Sequence, residues 1–172
     1  MDHQVLVAYA TKHGATAEIA RQIGDVLREA GLQTDVLPVQ DVRDLTPYGS
    51  VVLGSAIYMG RWRKDAVRFL KANEEPLAER KVWLFSSGPT GEGDPVELVE
   101  GRLLPEGVQP VIERIELEGI AVFHGVLDPS QMNVIERGII KMVKAPVGDF
   151  RDWDAIAGWA AAIADRLRED AE

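Results

Sequence analysis

The chain has 172 residues, with 19 Lys and Arg against 28 Asp and Glu, a formal net charge of −9 and no cysteine. At roughly 100 to 200 residues per domain this length predicts one domain over residues 1–172, and 46% apolar with 27% charged residues is the mix of a chain that buries a core. The acidic balance, with a pI near 4.9, argues against a nucleic-acid partner bound through a basic face, and the missing thiols exclude disulfides, thiolate metal sites and a cysteine nucleophile.

The start, Met1-Asp2-His3-Gln4, has no basic region and no small-residue cleavage site, as expected of a cytoplasmic protein rather than a secreted one. Apolar stretches such as 159–164 fall far short of the roughly 18 to 20 residues that span a bilayer. Residues 5–10 are almost continuously apolar, which predicts a parallel strand covered on both faces. From Thr16 onward Ile19, Ala20, Ile23, Val26, Leu27 and Ala30 follow helical spacing, with Gly31 where a terminating glycine belongs. Residues 35–39 read as a second, weaker strand, 50–56 as a third and central one, and 63–70 as a short amphipathic helix. A fourth strand over 81–87 leads into a Gly/Pro/Thr-rich loop, and Asp94-Pro95 then starts a helix with an acceptor before a proline. Residues 106–118 fit either a helix or an edge strand. A fifth strand follows over 119–123, and the last helix begins near Trp153, capped by Asp152, with Ile156, Ala160, Ile163, Ala164 and Leu167 on one face. Five such strands alternating with helices describe an α/β fold with a doubly wound, five-stranded parallel sheet.

Ligands of such sheets sit beyond the carboxyl ends of the strands, where the strand order reverses, so three loops carry the functional expectation. After the first strand, Thr11, Lys12, His13, Gly14, Ala15 and Thr16 bring hydroxyls, a cation, a glycine and backbone N–H groups to a helix N-terminus, a setting that holds phosphate. The Gly-Lys-Ser/Thr ending of a P-loop is missing, and one glycine stands where a dinucleotide fingerprint needs three, which implies a single terminal phosphate. The second loop, 55–62, holds Ala56, Ile57, Tyr58, Met59, Gly60 and Trp62, and so places two aromatic rings four residues apart. The third holds Ser86, Ser87, Gly88, Pro89, Thr90 and Gly91, small residues with accessible backbone groups. A phosphate cradle, an aromatic wall and a loop rich in amides suit a phosphorylated, planar, heteroaromatic cofactor, and FMN meets all three requirements. The competing readings are a ligand-free turn, solvated Lys12 and His13, and core or partner-facing Tyr58 and Trp62. His13 reads as a phosphate neighbour rather than a base, and no catalytic side chain is singled out.

This order and spacing resemble the flavodoxin-like fold, whose strand order is 2-1-3-4-5 with FMN at the reversal. Residues 9–16 resemble that family's phosphate loop, a Thr/Ser-x-Thr-Gly-x-Thr pattern, with His13 in place of the middle hydroxyl residue. The resemblance implies that Thr11, His13, Gly14, Ala15 and Thr16 bind phosphate, and that 56–60 and 86–91 flank the isoalloxazine ring. A nearer resemblance, over almost the whole chain, is to the flavodoxin-domain family that includes menaquinone-dependent protoporphyrinogen oxidase. It is carried by residues 10–16, by 54–60, by an insert from Phe123-His124-Gly125-Val126-Leu127-Asp128 through Ile139-Ile140-Lys141-Met142-Val143-Lys144, and by Asp152-Trp153. Members of that family carry an extra segment between the last strand and last helix, implicated in using the tetrapyrrole or quinone. This chain has Pro129-Ser130-Gln131-Met132-Asn133 where the characterised oxidases have a basic, aromatic-rich lead-in.

The resemblance implies an FMN-dependent oxidoreductase acting on a porphyrinogen, with a quinone as acceptor; the alternatives are a flavodoxin-type electron carrier for partner proteins and a flavin-free binding domain. Within the insert, Met132, Ile135, Ile139 and Met142 share one helical face, expected to pack on the domain or on a second copy in a homodimer. Arg137, Lys141 and Lys144 against the single Glu136 make a local basic stripe, so residues 131–144 are also a candidate for peripheral contact with an anionic membrane at its inner face.

Overall fold

Strand β1 (Gln4–Ala10) is buried along nearly its whole length, and its side chains divide between two cores. Leu6, Ala8 and Ala10 enter one, while Val5, Val7 and Tyr9 enter the other, as the period of two requires of a strand covered on both faces. The computed structural model describes residues 4–58, 60–104 and 107–171. Helix α1 (Ala15–Glu29) buries Ile19, Ala20, Ile23 and Leu27 and ends at Gly31, whose φ of +90° and N–H bond to the Arg28 carbonyl make the expected glycine stop. Then come β2 (Thr34–Pro38), β3 (Tyr48–Tyr58) and β4 (Arg61–Trp62), the last folded back antiparallel on β3 with Ile57 opposite Trp62. Helices α2 (Lys64–Ala72) and α3 (Glu74–Ala78) lead into β5 (Lys81–Ser87).

One-turn helices α4 (Pro95–Leu98) and α5 (Gln109–Ile112) precede β6 (Leu117–Phe123). The ambiguous segment therefore splits, a helical turn and then a strand, with Val108, Val111 and Ile115 buried between. Asp94 caps α4 as expected, accepting from the Val96 N–H, yet the helix lasts only one turn. The insert contains β7 (Val126–Leu127), α6 (Val134–Val143) and β8 (Gly148–Asp149), and α7 (Trp153–Ala171) closes the chain. Asp152 accepts from the Ala155 N–H, so the expected cap on the last helix is present.

The main sheet runs β2-β1-β3-β5-β6 with every one of these neighbours parallel. Counting the five parallel strands alone, that is the order 2-1-3-4-5, with the reversal between β1 and β3. Helices α1 and α7 cover one face, packing Ile23, Ile156 and Ile163 on Val7, Val52 and Phe85. Helices α2 and α3 cover the other, packing Phe69, Leu70 and Leu77 on Leu6, Leu53 and Leu84. Each fully buried Leu, Ile or Phe contributes about 1.5–3 kcal/mol, so the paired cores hold the sheet rigid and fix the loops at its carboxyl edge. Gly54 matters to that rigidity, because a Cβ there would stand 2.0 Å from the Phe85 ring.

Candidate functional site

The carboxyl ends of β1, β3 and β5 bring the three expected loops together. In the first, the Thr11 hydroxyl accepts from the Gly14 N–H at 2.9 Å and folds the turn. Gly14 has a φ of +92°, a left-handed conformation that costs residues with a Cβ, and nothing lies within 4 Å of where that Cβ would point. Helix α1 begins at the next residue with no side chain capping its first turn. The early N–H groups of a helix have no intrahelical acceptor and attract an anion, so Ala15 and Thr16 present donors to the open space beside Gly14. The Thr16 side chain is buried and pairs with the Ser87 hydroxyl at 2.9 Å, joining the start of α1 to the end of β5.

Lys12 and His13 stand beside this cradle, and the insert supplies their partner. Glu136, on α6, lies 3.0 Å from the Lys12 Nζ and 3.4 Å from the His13 Nε2. Its carboxyl is held below the usual glutamate range, chiefly by the hydrogen bond from Lys12, against the opposing push of burial and with a further lowering from His13. Lys12 also reaches over the Tyr58 ring, 5.9 Å from its centre, so the first loop touches the second.

The third loop is narrow where the strands end. A Cβ on Gly88 would lie 2.7 Å from the Ile57 carbonyl oxygen, and one on Gly125 would lie 2.7 Å from the Gly88 Cα. His124 fixes the outer part of this loop, with Nε2 2.7 Å from the Gly93 carbonyl and Nδ1 3.3 Å from the Pro89 carbonyl. A crevice of about 680 Å³ opens between the second and third loops, lined by Ile57, Gly60, Gly88 and Pro89 with Leu98 and Glu100 opposite, within the size range of a cofactor site. Glu100 has a φ of +56°, a backbone conformation of the kind concentrated at ligand-binding sites.

Several expected site residues take other parts. Trp62 is 5% exposed and sits in the core, its Nε1 donating to the Ser86 hydroxyl at 2.7 Å, whereas the Tyr58 ring is 46% exposed. The expectation that either ring could form the wall is corrected: β4 folds back on β3 and turns Trp62 inward. Ser86 and Ser87, counted both in the strand expected over 81–87 and in the third loop, form the buried end of β5. Ala56 and Ile57 likewise belong to the end of β3, and half-buried Thr90 and Gly91 lie where the third loop was expected. Met59 lies outside the described residues.

The insert is tied to the site at three points. Besides Glu136, Pro146 sits against Gly91, where a Cβ would come within 3.1 Å of it. Arg151 bonds Asp149, Glu18 and the Ala15 carbonyl at the first turn of α1, which keeps its own charge firmly in place. Glu136 is the functional residue that the sequence pattern missed. Its signal was a lone acid in a basic stripe, and nothing in the linear sequence connects it to Lys12 across 123 positions. Of the face expected to pack on the domain or on a second copy, Met132 is buried, whereas Ile135 and Met142 are 75% and 83% exposed and do not pack on the domain, while Glu136 and Ile140 face inward. Beside Tyr58, on α2 and its lead-in, an open groove carries Arg61, Arg63, Lys64, Arg68 and Lys71 against Asp65, a basic surface on an acidic protein.

A parallel sheet with a reversal, an uncapped helix N-terminus flanked by basic side chains and a cofactor-sized crevice define a flavodoxin-fold protein. The flavodoxin-domain profile matches residues 6–154, and the chain belongs to that family. It is 24% identical over 177 aligned residues to "Protoporphyrinogen IX dehydrogenase [quinone]" of Escherichia coli K12, covering 94% of each chain. Among solved structures, flavodoxin 2 from Bacillus cereus superposes with a TM-score of 0.56 at 20% identity over 97% of this chain and 99% of that one. A flavodoxin from Pseudomonas aeruginosa gives 0.59 at 17% identity over 96% and 99%. At these identities the two structures bear on the fold alone. Among the described residues no helix is long and apolar enough to cross a membrane.

Proposed function

We propose that the chain binds FMN and works as an oxidoreductase of the protoporphyrinogen dehydrogenase type, with a quinone as acceptor. The observation that carries this reading is the open, uncapped N-terminus of α1, with Gly14 at φ +92° and Lys12 and His13 beside it; the crevice between Ile57 and Gly88 opens at the ends of neighbouring strands. These groups fit a phosphorylated cofactor. The helix-end N–H groups of Ala15 and Thr16 donate to the phosphate oxygens, the Thr11 hydroxyl shapes the turn, and Lys12 offsets the phosphate charge. Ile57, Gly60, Gly88 and Pro89 then flank the ring, and Tyr58 is the exposed aromatic residue at the rim. When bound, the flavin supplies hydride and electron transfer. The full-length similarity to the Escherichia coli dehydrogenase and the insert between β6 and α7 support the enzyme reading.

The first test is the visible spectrum of the purified protein, with any released cofactor identified by chromatography and apoprotein titrated with FMN. A yellow protein releasing FMN, followed by quinone-dependent oxidation of protoporphyrinogen, is the expected outcome. Failure to take up FMN sinks the reading. Gly14→Val should weaken FMN binding by roughly tenfold or more, because forcing a β-branched residue into a left-handed conformation costs about 1–2 kcal/mol. The second reading, a carrier for protein partners, is favoured by the basic groove beside Tyr58. Turnover of porphyrinogen without any added protein separates the two.

A further inference from the structure

Resting on the flavin reading above, we infer that Glu136 is a built-in competitor for the cofactor's phosphate, so that loading the site releases helix α6. Lys12 and His13 are the basic side chains nearest the α1 N-terminus along the chain, and both are held by one carboxylate on a helix more than 120 positions away. The Glu136 side chain is 11% exposed, while the Lys12 and His13 side chains are 43% and 30% exposed and open to a second anion. Asp128, at the start of the insert, also lies within electrostatic reach of His13.

A phosphate arriving at the N–H groups of Ala15 and Thr16 brings up to two negative charges beside this triad. It attracts Lys12 and His13 and repels Glu136, whose hold on the cations is what anchors the middle of α6. Only Glu136 and Ile140 of α6 are turned inward and buried, so loss of the ion pair leaves Ile140 as the main remaining attachment of that helix. Binding linkage is reciprocal, and whatever phosphate does to the tether the tether does to phosphate affinity. The helix so released carries Val134, Ile135 and Met142, all more than 70% exposed, together with Lys141 and Lys144. Helix α6 thus becomes mobile only in the loaded protein, while the Pro146 and Arg151 contacts keep the rest of the insert in place.

The test compares wild type with Glu136→Gln, which keeps the side-chain shape and leaves untouched the cap from the Glu136 N–H to the Asn133 side chain. Apoprotein is titrated with FMN and with riboflavin, which has the ring but no phosphate, and hydrogen exchange is followed over residues 134–143. FMN should bind Glu136→Gln about fivefold or more tightly than wild type, with riboflavin affinity unchanged. In wild type, FMN should speed exchange in α6, and in Glu136→Gln exchange should be fast with or without FMN. Weaker FMN binding by Glu136→Gln would overturn the inference, since Glu136 would then be orienting the cations for the phosphate. So would α6 exchange indifferent to FMN. If wild type takes up neither FMN nor riboflavin, the flavin reading fails, and inorganic phosphate at constant ionic strength serves as the probe: faster α6 exchange upholds the competition, and no change overturns it.

Discussion

The central strands and the insert both carry apolar residues at regular spacing, and the structure treats them in opposite ways. Leu6, Leu53 and Leu84 are fully buried, whereas Val134, Ile135 and Met142 stand in solvent. The strands have helices on both faces, so every period-two position finds a partner. Helix α6 lies against the site along one line only, the line of Glu136 and Ile140. Apolar periodicity therefore reports a face that must be covered for stability in the first region. In the second it reports a surface held available, next to loops that build a binding site.

Four changes would break or sharpen that contrast. The largest effect is expected from Gly54→Ala, whose Cβ would fall within the Phe85 ring's contact distance at 2.0 Å. Overpacking of this kind costs about 1–3 kcal/mol and occasionally more, and with a 2.0 Å approach the upper end is expected, read as a fall in the urea midpoint; an unchanged midpoint would show the sheet to be more yielding than its packing implies. Trp62→Phe should come next. It strands the buried Ser86 hydroxyl, at a cost of about 1–3 kcal/mol, while FMN affinity should stay within about twofold because Tyr58, not Trp62, is at the rim.

The third change is pH. Folding holds the Glu136 carboxyl below its ordinary value of 4.5, through Lys12 first and then His13 against burial. The folded state then binds fewer protons than the unfolded chain in acid, so this tether acts in full above the ordinary value and is lost as pH falls through the lower folded value. Exchange in residues 134–143, corrected for its intrinsic rate, should rise in that acid window in wild type and show no such step in Glu136→Gln. The smallest effect is expected from Ile135→Ser combined with Met142→Ser. Both side chains are exposed, so stability should change by no more than about 0.5 kcal/mol; a larger loss would mean that the face is covered in solution. Porphyrinogen turnover by the same variant would tell whether this surface serves the substrate.

Much of the fold was legible because its signals are local. The apolar run of β1, the glycine stop at Gly31, the Asp94 and Asp152 caps and the spacing of α7 each depend on neighbours within one element. The turn after β1 was legible for the same reason, since Thr11 and Gly14 act within four residues of chain. The hairpin that turns Trp62 inward was not, because β3 runs on to Tyr58 and pairs with Arg61 and Trp62 only once β5 supplies Ser86 beside them. Nor was the one-turn length of α4, whose start signal is strong but whose four residues bury no side chain to extend it.

By itself the sequence determined the layered α/β class, the order of the main strands and helices, and the glycine turn that opens α1, because alternation, capping and glycine conformation are set by covalent geometry and short-range sterics. Only the tertiary structure decided which aromatic residue is exposed, which face of α6 is free, and that Glu136 closes on Lys12 and His13. Those outcomes depend on charges and surfaces brought together across more than 100 residues of chain, and electrostatic attraction and burial act on distance in space, which sequence separation does not encode.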